Sequence, residues 1–242
     1  MQLITDFILG CKHFLIGAEL IFKPGIRRFV LIPLLINCVV FIAMFVIAKH
    51  YMALFNHWFL QFLPHWLYWL EYFLWALFFV SFFVLMVYIF TMVANIIASP
   101  FNGSLSEAVE LYLTKKSIPA KTVWQNTKDA PRVIGRALSM MGYYLPRALV
   151  ILILFFIPAM QLFAPFIWFL FNAWFMALIY LDSPSDNHQV TLANLHLFIH
   201  HHRALTLGFG TLALVTAMIP ILNFFTLPIA IAGATHLWLS KK

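Results

Sequence analysis

Two long apolar runs, one from Phe29 to Ala48 and the other from about Leu67 to Ala98, limit this chain more than any other feature. A helix of about 20 apolar residues matches a hydrocarbon core about 30 Å thick. Burying two such runs in a water-soluble domain of 242 residues would need a polar shell that the chain lacks, since 64% of its residues are hydrophobic and 10% charged. An ordinary soluble domain carries about 25% charged residues. The sequence therefore describes an integral membrane protein, read as a single unit over residues 1–242.

The formal net charge of +7 raises the question of nucleic acid. The basic residues stand in blocks between apolar runs rather than on an aromatic-interleaved surface, so membrane orientation is the better account and no nucleic-acid partner is expected. Cys11 and Cys38 are the only cysteines, so neither a disulfide framework nor a Cys-x-x-Cys metal site can be built. No P-loop, His-Glu-x-x-His or Gly-x-Ser-x-Gly motif occurs, and neither a catalytic residue, a metal site nor a cofactor is expected.

Residues 1–22 repeat at helical spacing, with Leu3, Phe7, Cys11, Phe14, Ala18 and Phe22 on one stripe. This predicts an amphipathic helix lying in the membrane interface, ended by the Pro24-Gly25 turn. The first spanning helix follows, holding Pro33 and Asn37, then an interface marked by Lys49, His50, Trp58, Trp66 and Trp69. The second run exceeds one crossing and must tilt or project. Ser99-Pro100-Phe101-Asn102-Gly103 is expected to break it, with Ser104 to Glu107 capping a new helix.

Lys115, Lys116, Lys121, Lys128, Arg132, Arg136 and Arg147 form the most basic stretch, which the positive-inside rule places in the cytoplasm with Lys23, Arg27 and Arg28. The later apolar runs, Ala148–Leu181 and Ala204–Leu239, are interrupted by Pro158 and Pro165 and by Pro220 and Pro228. The pieces of the first are about a dozen residues long, short of a crossing. Re-entrant hairpins fit these prolines and keep the basic flanks on one face, though single crossings also satisfy the charges. The expected fold is all-α: two long transmembrane helices, two proline-broken hemi-penetrating hairpins and the interfacial helix. Backbone broken at depth requires tight assembly or a wet cavity. A short likeness between residues 32–37 and 219–223 hints at an internal repeat.

Lys23-Pro24-Gly25-Ile26-Arg27-Arg28 has its own chemistry. A helix start presents free N–H groups and about half a positive charge, and two guanidinium groups add two more. Gly25, Ile26, Arg27 and Arg28 would match a tetrahedral dianion. A cytoplasmic anchor on lipid phosphate uses the same residues.

Gly10, Gly17, the run Pro24 to Val30, Ile32 to Asn37, Pro100 to Gly103, Glu107 and Glu110 resemble, in that order, the CysZ family of bacterial sulfate permeases. The resemblance implies sulfate uptake across the inner membrane for cysteine synthesis, by an oligomer with two long spanning helices and shorter hemi-penetrating ones. The family's Gly-Leu-Arg sulfate motif falls on Gly25, Ile26 and Arg27, followed by Arg28. Sulfate, with sulfite as its competitor, the lipid bilayer and a second copy of the chain are the expected partners, and both termini are expected in the cytoplasm.

Asn37, Asn95, Asn102, Asn172 and Asn223 lie in or beside apolar runs, where an amide either glues helices or lines a path. Arg132, Arg136 and Arg147 form an inner stop for an anion or a solvated face, and Glu107 and Glu110 are their expected partners. His196, His200, His201 and His202 are expected in a polar loop, with metal binding as the sharper alternative. The rival from another class is a membrane-organising protein whose arginines hold lipid headgroups and transport nothing.

Overall fold

The computed structural model describes residues 2–60, 68–116 and 123–241. Among them every element is helical: α1 (Gln2–Leu20), α2 (Arg27–Leu60), α3 (Tyr68–Thr114), α4 (Val123–Leu154), α5 (Ala164–Asn187), α6 (Leu192–His201), α7 (Arg203–Met218) and α8 (Pro220–Lys241). Four stretches of the described residues are long and apolar enough to cross a membrane: Arg27–Tyr51, Ile134–Leu154, Ala164–Asn187 and Leu222–Lys241. The contacts gather into two compact units, Leu31–Phe101 on one hand and Met1–Val30 with Asn102–Lys242 on the other.

The unit Leu31–Phe101 consists of the α2 and α3 arms. Leu35, Val39, Ile42, Phe45, Phe73 and Phe83 are all exposed along them, the surface that hydrocarbon covers at no desolvation cost. α3 runs unbroken through residues 99–103, so the expected break and the Ser104 cap are both corrected. A proline deletes one helical hydrogen bond and crowds one carbonyl, at a cost of about 3 kcal/mol. Here the long apolar helix before it and a buried turn after it, with Leu105, Ser106 and Val109, carry the helix across.

In the other unit α1 packs on α7 and α8, and α5 packs on both of these. The buried face of α1 is Gly10, His13, Phe14, Gly17 and Leu20. That corrects the apolar stripe, which shares only Phe14 with it and whose Leu3 and Phe22 are exposed. Glycines set the face: a Cβ on Gly10 would strike the Leu205 carbonyl, one on Gly17 the Ile229 carbonyl, one on Gly208 the Phe7 carbonyl and one on Gly210 the Ala173 carbonyl. Small residues let membrane helices approach backbone to backbone, where dispersion and not hydrophobicity holds them. Phe14 and Phe209 meet edge to face at 5.8 Å inside this core.

The prolines cut the second half into helix pairs. Pro158 lies in a run of tight turns between α4 and α5, Pro165 falls in the first turn of α5, and Pro220 opens α8. Pro228 sits inside α8 without ending it. The arms are longer than a dozen residues, 32 in α4 and 24 in α5, because each helix continues past the apolar run into its polar flank. The histidine segment is a helix and not a loop, since the Thr191 hydroxyl accepts from the Asn194 N–H and caps α6. Pro33 lies inside α2 whereas Pro220 starts a helix, so the two similar strings hold unlike positions.

Candidate functional site

Chain direction changes at Lys23–Ile26, where Gly25 takes φ +91°, a left-handed conformation that glycine adopts without strain. The Lys23 carbonyl accepts from the Ile26 N–H at 3.1 Å and from the Arg27 N–H at 3.2 Å. Ile21, Ile26 and Val30 are buried and anchor the turn in the α1 core. The Ile26 side chain therefore faces inward, and its N–H and that of Arg27 are engaged by the turn. Among the described residues the Gly25 and Arg28 N–H groups have no main-chain acceptor, which makes them the donors that the turn leaves available.

Arg27 and Arg28 are both exposed. Arg28 lies over the Phe29 ring at 4.9 Å. Among the described residues neither guanidinium pairs with a carboxylate. Among the described residues, two arginines adjacent in sequence, at the start of a helix whose peptide dipole adds to their charge, thus have no acceptor for their guanidinium donors.

The other basic pair is arranged in the opposite way. Arg136 is nearly buried, and its three nitrogens donate to Asp182 Oδ1 at 2.5 Å, the Val190 carbonyl at 2.6 Å and Ser185 Oγ at 2.8 Å. Arg132, one turn earlier on α4, binds both oxygens of Asp186. These pairs join α4 to the C-terminal end of α5, beside a cleft of about 500 Å³ lined by Arg132, Arg136, Gln189, Val190, Thr191 and Leu192. Of the partners expected for these arginines, Glu110 takes another role. Glu110 is buried against His188 at 2.9 Å, and Glu107 is half-buried.

Sequence reasoning missed Asp182 and Asp186, although a signal was present. Two arginines four residues apart match two aspartates four residues apart, the spacing that aligns two helices side by side. The same end of α5 reaches α3, where the Asn187 amide donates to the Gly103 carbonyl at 3.2 Å, next to half-buried Asn102. The side chains of Asn37 and Asn95 lie outside the described residues, as do those of Trp58, Trp66, Trp69, Lys121 and Lys128. Asn172 accepts from the Tyr144 hydroxyl at 3.2 Å and donates to the Trp168 carbonyl, a helix-to-helix clasp. Asn223 is exposed.

The histidines separate. His196 lies against the Tyr143 ring and His202 against Phe198, while His200 and His201 are exposed. Among the described residues no group of three His, Cys, Asp or Glu side chains is placed to hold a metal ion. A pair that the sequence did not suggest, His13 of α1 and His236 of α8, shares a hydrogen bond of 2.7 Å between their two Nδ1 atoms, so one ring donates and the other accepts.

Comparison with known proteins follows this geometry. The family described as Sulfate transporter CysZ/Etoposide-induced protein 2.4 matches residues 13–228, a range that holds the start of α2, the α4–α5 pair, and α7 with the first part of α8. The Sulfate transporter CysZ of Pectobacterium atrosepticum is 40% identical over 239 residues, covering 96% of this chain and 85% of that protein. The family description names transport and no catalytic reaction, in keeping with apolar helices of spanning length. This chain belongs to the Sulfate transporter CysZ/Etoposide-induced protein 2.4 family.

Proposed function

We propose that the chain conducts sulfate across the bacterial inner membrane, as a channel or facilitator, for assimilation into cysteine, with the anion held at the start of α2. The observation that carries this reading is the pair Arg27 and Arg28, exposed on a helix start and without a carboxylate partner among the described residues, while Arg132 and Arg136 are neutralised by aspartates. A sulfate here meets two guanidinium forks, the Gly25 and Arg28 N–H groups and the helix dipole. Relatedness to a protein named as a sulfate transporter supports the choice of anion. Sulfite, of similar charge and shape, competes, and chloride does not.

Arg132 and Arg136, with Glu110, Glu107 and Asn102, belong in this reading to the walls or gate of the path. An anion passing the cleft beside Arg132 competes with Asp186 for its guanidinium, so the ion pair opens and closes with occupancy. The proposed homo-oligomer shelters the broken backbone.

The α4–α5 pair is read as a hemi-penetrating hairpin. Arg147 is the last charge on α4, and the helix continues only from Arg147 to Leu154, about 10 Å, before the turn at Pro158. That reaches about the middle of a 30 Å core. The basic flanks and both termini then share the cytoplasmic face.

Radiolabelled sulfate uptake into liposomes, with and without an imposed proton gradient, tests the function. The expected result is saturable uptake that sulfite inhibits and chloride leaves unchanged, in either gradient condition. Liposomes no more permeable than protein-free controls would favour the lipid-organising alternative.

A further inference from the structure

Arg147 poses a problem that the sulfate site does not solve. It is exposed on α4 among exposed Met141, Leu145, Leu149 and Val150, all more than half accessible. Beyond it lie 34 residues, Ala148–Leu181, without a charged side chain. An arginine in such surroundings stands at the edge of hydrocarbon, where an unpaired charge is expensive. Among the described residues no carboxylate pairs with it.

The side chain does not point along the helix toward the apex. It folds back toward the N-terminus of α4, with the guanidinium 3.9 Å over the centre of the Tyr143 ring and Nη1 donating to the Tyr143 carbonyl at 2.9 Å. This is the direction in which an arginine lifts its charge out of the apolar layer. His196 of α6 joins the cluster, its ring 4.5 Å from that of Tyr143. Burial first, and then the Arg147 charge, push the His196 imidazole below its usual value, so it is neutral at pH 7 and offers one N–H. The Tyr143 hydroxyl has no hydrogen-bond partner among the described residues. Guanidinium, phenol and imidazole from two helices thus converge, each with a donor to spare.

We infer that Arg147, Tyr143 and His196 bind the phosphate of an anionic glycerophospholipid, a lipid site distinct from the sulfate site at Arg27 and Arg28. A phosphodiester is a singly charged tetrahedral oxyanion, which one guanidinium fork and two neutral donors match in charge and number. Its acyl chains lie along the exposed leucines and valine that follow on α4. The bound lipid fixes how deep the α4–α5 hairpin sits, and in that respect the inference rests on the hairpin reading above.

Native mass spectrometry of the full-length protein, titrated with phosphatidylglycerol, tests it. The wild type is expected to retain one tightly held phosphatidylglycerol that Arg147→Gln loses, with affinity at that step falling at least tenfold. Arg147→Lys, which keeps the charge but not the fork, lies between them. Tyr143→Phe, which removes only a hydroxyl and leaves the ring packing intact, weakens the same step about threefold. Equal retention in wild type, Arg147→Gln and Tyr143→Phe overturns the inference. Displacement of that lipid by millimolar inorganic sulfate also overturns it, since the cluster would then take a free anion.

Hairpin depth is read separately, from a spin label on Phe156→Cys in a Cys11→Ser, Cys38→Ser background. Collisions with oxygen that peak at the bilayer centre support the hairpin. A label in the opposite headgroups removes the hairpin while leaving the lipid count to stand or fall by itself.

Discussion

Gly17 of α1 lies so close to Gly233 of α8 that a Cβ built on Gly17 would fall 2.6 Å from the Gly233 amide nitrogen. No side-chain movement relieves such a contact, because the obstacle is main chain. Gly17→Ala must therefore push α1 off α8, at a cost at or above the upper end of the 1–3 kcal/mol usual for overpacking. Gly142 of α4 has open space where its Cβ would go, so Gly142→Ala gains the helix propensity of alanine, about 1 kcal/mol. Thermal unfolding in detergent should move the two variants in opposite directions. A Gly17→Ala protein that melts with the wild type contradicts the packing described for α1.

Arg136 and Arg132 should respond differently to loss of charge. Arg136→Met leaves Asp182 as an uncompensated, largely buried carboxylate, which costs about 3–5 kcal/mol. Arg132→Met breaks a more exposed pair worth about 0–1 kcal/mol. Adding Asp182→Leu to Arg136→Met should restore much of the loss, since no charge then remains to strand. Unfolding of the single and double variants measures the difference, and equal losses for the two arginines would overturn the assignment of partners.

The parts of this fold that depend on length were legible in the sequence. Phe29–Ala48 needed only counting to be found as the part of α2 long and apolar enough to span, and Pro158 and Pro220 fell at real breaks. Pro100 misled because a local breaker was weighed without the long helix on either side of it. The buried face of α1 was hidden for a different reason. Gly10 and Gly17 have no side chain, so a search for apolar stripes passes over the residues that pack most closely. Asp182 and Asp186 could be matched with Arg136 and Arg132 only once α5 was known to lie beside α4. At the proposed anion site the sequence named Gly25 to Arg28, but not which of their N–H groups the Lys23 carbonyl takes.

Acid should loosen the contact between α1 and α8. Burial, then the His236 ring and the Lys241 charge, push the His13 imidazole down to about 4 from an ordinary 6.5. Between those values the unfolded chain binds the proton and the folded one does not, so stability is full above about pH 6.5 and falls as pH drops toward 4. The melting temperature of the wild type should decline over that window, and His13→Gln should flatten the decline. A wild-type curve that is level from pH 7 to pH 4.5 contradicts a buried neutral His13.

The central claim is that Arg27 and Arg28 hold the anion. Titration calorimetry of the purified double variant Arg27→Ala, Arg28→Ala with sulfate tests it most directly, beside the wild type and Arg132→Met. The account predicts saturable binding by the wild type and by Arg132→Met, and none by the double variant, whose size-exclusion profile and melting temperature stay those of the wild type. Unchanged sulfate affinity in a folded double variant would contradict it.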